Sequence, residues 1–148
     1  MMDKKKINEV LQGVIADKIQ KLTHSIKLID DSAANETKSS AGDKYETSRV
    51  MLQQEKDKKL GQLDLWNSYD ASLKLIEVSQ HDSIQLGSVV VTDKNIIYVA
   101  VPVGKIQCDG KQIFAISTDA PLYKIMEGKT KDDEVSVNGK AITIKDVL

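Results

Sequence analysis

The stretch Ile15-Ala16-Asp17-Lys18-Ile19-Gln20-Lys21-Leu22-Thr23-His24-Ser25-Ile26-Lys27-Leu28-Ile29 places Ile15, Ile19, Leu22, Ile26 and Ile29 at steps of four, three, four and three. That alternation holds an apolar stripe on one side of an α-helix, as in the seam of a coiled coil. Ile7, Leu11 and Val14 continue the stripe toward the N-terminus. The spacing predicts a helix from about Lys4 to Asp31, roughly 42 Å long at the usual rise per residue.

Outward from this seam, Ser32–Gly42 has no apolar stripe and many small polar residues, which reads as a turn region. Asp43 is placed to cap a second helix, with Glu46 three residues later in an Asp-x-x-Glu form of the capping box. That helix is expected to run to about Val78 on a broken stripe of Tyr45, Leu52, Leu60, Leu63, Trp66, Tyr69, Leu73 and Ile76. Glu55 to Lys59 charge its middle, and Gly61 weakens it by about 1 kcal/mol relative to Ala. Two long helices joined by one turn should lie antiparallel as a coiled-coil hairpin.

Near Gln80–Ser83 the apolar period changes from helical to strand-like. Ser88–Val91 and Ile96–Val101 are β-branched runs around the turn-forming Thr92-Asp93-Lys94-Asn95. Asp109-Gly110 and Asn138-Gly139 are favoured hairpin dipeptides. They join Lys105–Cys108 to Gln112–Ser117, and Glu134–Val137 to Ala141–Val147. Between the hairpins, Pro121–Glu127 reads as a short helix closed by Gly128. The expected fold class is α+β, with a helical hairpin over 1–81 and a small β domain with one short helix over 82–148.

Composition narrows the function. Of 148 residues only 4% are aromatic, which suits aliphatic seams better than a large ring-rich core. The 21 basic and 22 acidic residues leave a net charge of −1, so no global field draws the chain to nucleic acid or an anionic membrane. Cys108 is the lone cysteine, which excludes an internal disulfide and a thiolate metal cluster and suits a reducing compartment. No signal-peptide core follows Met1–Lys6, and no run approaches the roughly 20 apolar residues of a membrane span. The expected location is the cytoplasm. His24 and His81 lack a partner at metal-ligand spacing and read as surface residues, and Ser39 and Ser40 have no paired base.

The run Ile116-Ser117-Thr118-Asp119-Ala120-Pro121-Leu122, then Gly128-Lys129 and Asp132-Asp133-Glu134-Val135, resembles the C-terminal domain of the Gre transcription factors. That family has an Ile-Ser-x-x-Ser-Pro-Leu segment, a Gly-Lys step and an Asp-x-Val strand start. Leu86-Gly87-Ser88-Val89-Val90 is similar to the family's opening Gly-Ser-x-Val strand. The resemblance covers Ile84–Leu148, implies an FKBP-like β domain, and places a helical hairpin ahead of it. At the turn, Gly42-Asp43-Lys44-Tyr45-Glu46 resembles the Gly-Asp-x-x-Glu of cleavage-active members. Thr47-Ser48-Arg49 then stands where those members carry an Asn-Ala-Glu-Tyr run, and Tyr45 falls inside the motif rather than after it.

The resemblance implies an accessory factor with no active site of its own. It would bind bacterial RNA polymerase as a monomer, touch nascent RNA only indirectly, and act through the polymerase active site. Asp43 and Glu46 become the catalytic carboxylates, holding Mg²⁺ jointly with the polymerase to promote cleavage of backtracked RNA. Asp119, Pro121 and Leu122 become the docking residues, since loops on rigid scaffolds commonly carry recognition. Asp43 and Glu46 also have a plain reading as acids that complement a helix dipole, and the two readings are compatible. A channel-binding regulator without cleavage activity shares the same architecture. An FKBP-like prolyl isomerase would need a ring-lined pocket, for which the β half offers Tyr98, Phe114 and Tyr123. A coiled-coil scaffold that dimerises through its hairpin is a further alternative.

Overall fold

The computed structural model describes residues 2–37 and 42–148, without the side chains of 36, 37 and 42–45. Two long helices, α1 (Lys4–Thr37) and α2 (Gly42–Lys74), precede six strands and a short helix. The strands are β1 (Val89–Thr92), β2 (Ile96–Val99), β3 (Gly104–Cys108), β4 (Lys111–Ile116), β5 (Glu134–Val137) and β6 (Lys140–Val147), with α3 (Pro121–Met126) between β4 and β5. The chain is thus an α+β protein with an N-terminal helical hairpin. Among the described residues no helix is long and apolar enough to cross a membrane.

Two compact units form: Ile15–Ser68, and Met1–Val14 together with Tyr69–Leu148. Gln80–Ser83, where the period changes, lies in the connection between the end of α2 at Lys74 and the start of β1 at Val89. The compact units divide along other lines than 1–81 and 82–148, because the base of the hairpin packs with the strands.

In the helical unit, Ile15, Leu22 and Ile29 are buried at seven-residue intervals, and Ile19 and Ile26 are half-buried. This is the seam expected from the spacing. Lys18 lies over the Trp66 ring at 5.8 Å, and Lys56 pairs with Asp30 at 2.6 Å. As α1 advances from Lys18 to Asp30, its partner on α2 recedes from Trp66 to Lys56, so the two helices are antiparallel.

The facing stripe of α2 differs from the one expected. Leu52, Lys56, Lys59, Leu63 and Trp66 are half-buried, while Leu60 is 38% exposed. Steps of four, three, four and three through these positions put Lys56 and Lys59 on the seam and Leu60 beside it. Lysine tolerates such a place because its aliphatic stem packs while its ammonium reaches outward.

Two helix ends also depart from expectation. Ser32–Thr37 is helical, not turn. Ala33 and Ala34 are strong helix formers, and adding residues to an existing helix is far easier than nucleating one. The rest of the expected turn, 38–41, lies outside the described residues. At the other end α2 stops at Lys74, and the chain leaves it through tight bonds from Leu75 N–H to Ser72 O and from Ile76 N–H to Leu73 O.

In the other unit the strand order is β3-β4-β2-β1-β6-β5, with β2 and β4 parallel and every other neighbouring pair antiparallel. The Asp109-Gly110 and Asn138-Gly139 turns have positive φ at both central residues (52° and 76°, 52° and 80°). That is the backbone of a type I′ hairpin, which explains the residue choice. One face of the sheet contributes Val90, Ile97, Val99, Ile144 and Val147 to a core closed by Ile84, Val135 and the Tyr123 and Met126 side chains of α3.

Side chains alternate across a strand, so Tyr98 points to the opposite face from Ile97 and Val99. Val89, Ala115, Ile113 and Ile106 share that face through their pairings and are all buried. Helical residues cover it: Asn8 Nδ2 donates to the Tyr98 hydroxyl at 2.6 Å, and Ile7, Leu11 and Leu73 are at most 1% exposed. The centre of the sheet is therefore covered on both faces, by α3 on one and by the hairpin base on the other.

Candidate functional site

The sequence nominated two regions, one in each compact unit. The first is the start of α2. Asp43 and Glu46 both lie in α2, which begins at Gly42, and three residues on a helix bring two positions onto the same face. Glu46 is exposed. The side chain of Asp43, and with it the proposed capping contact, lies outside the described residues. Negative charge in the first turn is favourable against the positive end of the helix dipole, whatever else these carboxylates do.

The neighbouring acids divide into different roles. Asp30 is engaged by Lys56, so it serves the hairpin seam. Asp31 is exposed on the same turn. Among the described residues no group of three or more His, Cys, Asp or Glu side chains is gathered as a metal site. Magnesium commonly takes one or two protein carboxylates and fills its other positions from water or substrate.

The second region is Ser117–Gly128. Asp119 N–H donates to the Ser117 hydroxyl at 3.2 Å, and Ala120 N–H donates to the Ser117 carbonyl at 3.1 Å. These bonds turn the chain before Pro121, which opens α3 at a position where a missing N–H costs nothing. Gly128, at φ 77°, closes the segment, and its N–H donates to Ile84 O at 2.9 Å. Asp119 and Pro121 are exposed on this braced turn. Leu122 instead packs against the core under α3, so its part is to seat the helix.

The other sequence candidates resolve as follows. Tyr123 and Phe114 belong to the core under α3, whereas Tyr98 faces the hairpin base, so the three rings do not line one pocket. His24 is exposed as expected. His81 is not a plain surface residue. Its Nδ1 lies 2.7 Å from the buried Ser88 hydroxyl and its Nε2 lies 3.3 Å from the Ser79 hydroxyl. Since Gln85 N–H already donates to Ser88 Oγ at 3.0 Å, Ser88 can donate its own proton to an unprotonated Nδ1. Burial and the nearby Lys4 charge both hold the His81 pKa below its usual 6.5. No local motif announces this contact, because it depends on how the linker folds back on β1.

No protein-family model matches the chain, and no curated protein matches it. Solved structures similar to it include a transcription factor Gfh1, 14% identical over 92% of this chain and 92% of that one, with a TM-score of 0.40. Another is GreA factor homolog 1 (Gfh1) of Thermus thermophilus, 19% identical over 88% and 94%, with a TM-score of 0.34. A third is Thermus aquaticus Gfh1, 18% identical over 86% and 92%, with a TM-score of 0.34.

Proposed function

We propose that this chain is a Gre-like transcription elongation factor that binds bacterial RNA polymerase and stimulates cleavage of backtracked RNA in the polymerase active site. The observation that carries the reading is the Gly42-Asp43-Lys44-Tyr45-Glu46 segment at the start of α2, with both carboxylate positions on one helical face. The Ile116–Leu122 and Gly128–Val135 runs supply the matching β-domain resemblance.

In this reading the factor brings carboxylates and the polymerase brings the rest of the site. Asp43 and Glu46 would hold Mg²⁺ jointly with polymerase residues, and the ion would supply charge stabilisation on phosphate oxygens. The carboxylates would also orient a water toward the scissile phosphate, which lowers the entropic part of the barrier. Docking would use Asp119 and Pro121, whose exposed turn is braced by Ser117.

A second reading keeps the polymerase and removes the cleavage. Thr47-Ser48-Arg49 follows the motif where cleavage-active Gre factors carry Asn-Ala-Glu-Tyr, which favours a channel-binding regulator. Stalled, backtracked polymerase complexes separate the two when shortening of the RNA 3′ end is scored. Asp43→Asn keeps a comparable shape and removes the charge. It is expected to retain binding and lose at least about 100-fold in cleavage rate. Binding without any shortening by the wild type removes the cleavage reading and leaves the regulator. Absence of binding removes both.

A further inference from the structure

The β3–β4 hairpin extends past the start of β2. Ile97 opposite Phe114 is the first pair between β2 and β4, so Lys111 and Gln112 at the start of β4 lie beyond that ladder. An open depression of about 430 Å³ sits there, lined by Asp93, Lys94 and Asn95 of the β1–β2 turn and by Lys111, Gln112 and Phe114 of β4.

Its polar lining is rich in donors. The two-residue turn at Asp109-Gly110 makes Cys108 and Lys111 the hydrogen-bonded pair that closes the hairpin, and bonding alternates along an antiparallel pair. The backbone N–H of Gln112 therefore points away from β3, on the side where the β2 ladder has not yet begun. Asn95 Oδ1 accepts from the Thr92 hydroxyl at 2.9 Å, which leaves its Nδ2 to donate elsewhere. Lys94 and Lys111 are exposed and form no ion pair among the described residues. Asp93 commits one carboxylate oxygen to the Thr143 N–H at 3.0 Å. Beside these donors stands the half-buried Phe114 ring, with the Lys105 ammonium 5.8 Å from its centroid.

We propose that this depression binds a nucleoside phosphate, its phosphate held by Lys94, Lys111 and the Gln112 N–H and its base against Phe114. Excess positive charge and outward donors call for an anion, and the adjoining ring calls for a flat apolar group on the same ligand. An acidic peptide would match the lysines and leave the ring without a stacking partner. The inference does not depend on the tip carboxylates or on a polymerase partner. The same chemistry is offered by a free nucleotide and by one residue of a single-stranded RNA.

The test titrates the full ¹⁵N-labelled chain with adenosine monophosphate at low salt and follows amide shifts by NMR. The Gln112 backbone amide and the Asn95 side-chain amide should shift together and saturate. Adenosine monophosphate should bind at least about fivefold more tightly than inorganic phosphate, because base stacking adds to the anion contacts. The double variant Lys94→Gln with Lys111→Gln should weaken it at least about tenfold. Lys140→Gln, at an exposed lysine on a different turn, should leave it unchanged. Phe114→Leu should bring the nucleotide down to the affinity of inorganic phosphate; the lysine variant, which changes exposed side chains alone, tests the site without touching the core. A hexa-adenylate RNA that binds more tightly than the mononucleotide supports the proposal with an RNA strand as the source, and equal binding supports it with the free nucleotide. Absence of a saturable shift at Gln112, inorganic phosphate or a triglutamate peptide binding as tightly as the nucleotide, or an unchanged double variant overturns the proposal.

Discussion

Replacing Tyr98 by Phe removes one oxygen from the interface between the sheet and the hairpin base. In the native protein Asn8 Nδ2 donates to that oxygen at 2.6 Å, with Tyr98 fully buried and Asn8 5% exposed. Gln12 Nε2 donates to Asn8 Oδ1 at 2.9 Å, which fixes the amide orientation. After the substitution an Asn8 N–H remains buried with its acceptor gone. Such an orphaned donor costs about 1–3 kcal/mol, whereas removing both partners together can be nearly neutral. The single variant is therefore expected to lose about 2 kcal/mol, equivalent to roughly 30-fold faster exchange of a protected core amide. Val99 N–H, bonded to Ser88 O at 2.9 Å on the neighbouring residue, is a suitable reporter. The double variant Asn8→Leu with Tyr98→Phe should cost less than Tyr98→Phe alone. Half-buried Gln12 can then turn its amide to water. Exchange at Val99 within about twofold of wild type in Tyr98→Phe, or additive effects in the double variant, would refute the argument that this bond pins the helices to the sheet.

Three other outcomes are expected. Lys56→Leu should stabilise the helical unit by about 1 kcal/mol in thermal unfolding, because a partly exposed ion pair contributes little and a seam position gains apolar burial; a loss of stability would count against the seam through Lys56. Gly87→Ala should cost about 1–3 kcal/mol in urea unfolding, since Gly87 has φ 91° and a Cβ there would lie 3.1 Å from Ile76 Cγ2 and 3.3 Å from His81 Cε1. His81 should titrate below 6.5 by NMR. Folded His81 then binds fewer protons than unfolded His81, so stability should rise with pH from its folded pKa up to 6.5 and fall on acidification through that window. His81→Gln should flatten this slope, and an unchanged slope would assign it to other groups.

The sequence by itself determined the features that depend on near neighbours along the chain. Steps of four and three between Ile15 and Ile29 require one inward-facing helical stripe, and Ile15, Leu22 and Ile29 are buried with Ile19 and Ile26 half-buried beside them. Asp109-Gly110 and Asn138-Gly139 accept positive φ at low cost, so both hairpins formed where those dipeptides stand. Pro121 and Gly128 bound α3 for equally local reasons. The nominated site residues were legible only as motif, and the exposure of Glu46, Asp119 and Pro121 adds a surface without assigning it a task. Tertiary structure decided what local pattern leaves degenerate. The parallel pairing of β2 with β4 and the union of β1 with β6 join strands distant in sequence, selected by which apolar faces can be buried together. Lys56 displaced Leu60 from the α2 stripe because the antiparallel partner, with Asp30 opposite, sets the rotation of that helix. Asn8 reads as an ordinary polar helix residue until Tyr98 arrives from 90 residues away to accept its proton. His81 becomes a linker contact only when the linker folds back on β1, since one chain segment cannot specify the partner that a distant segment will bring.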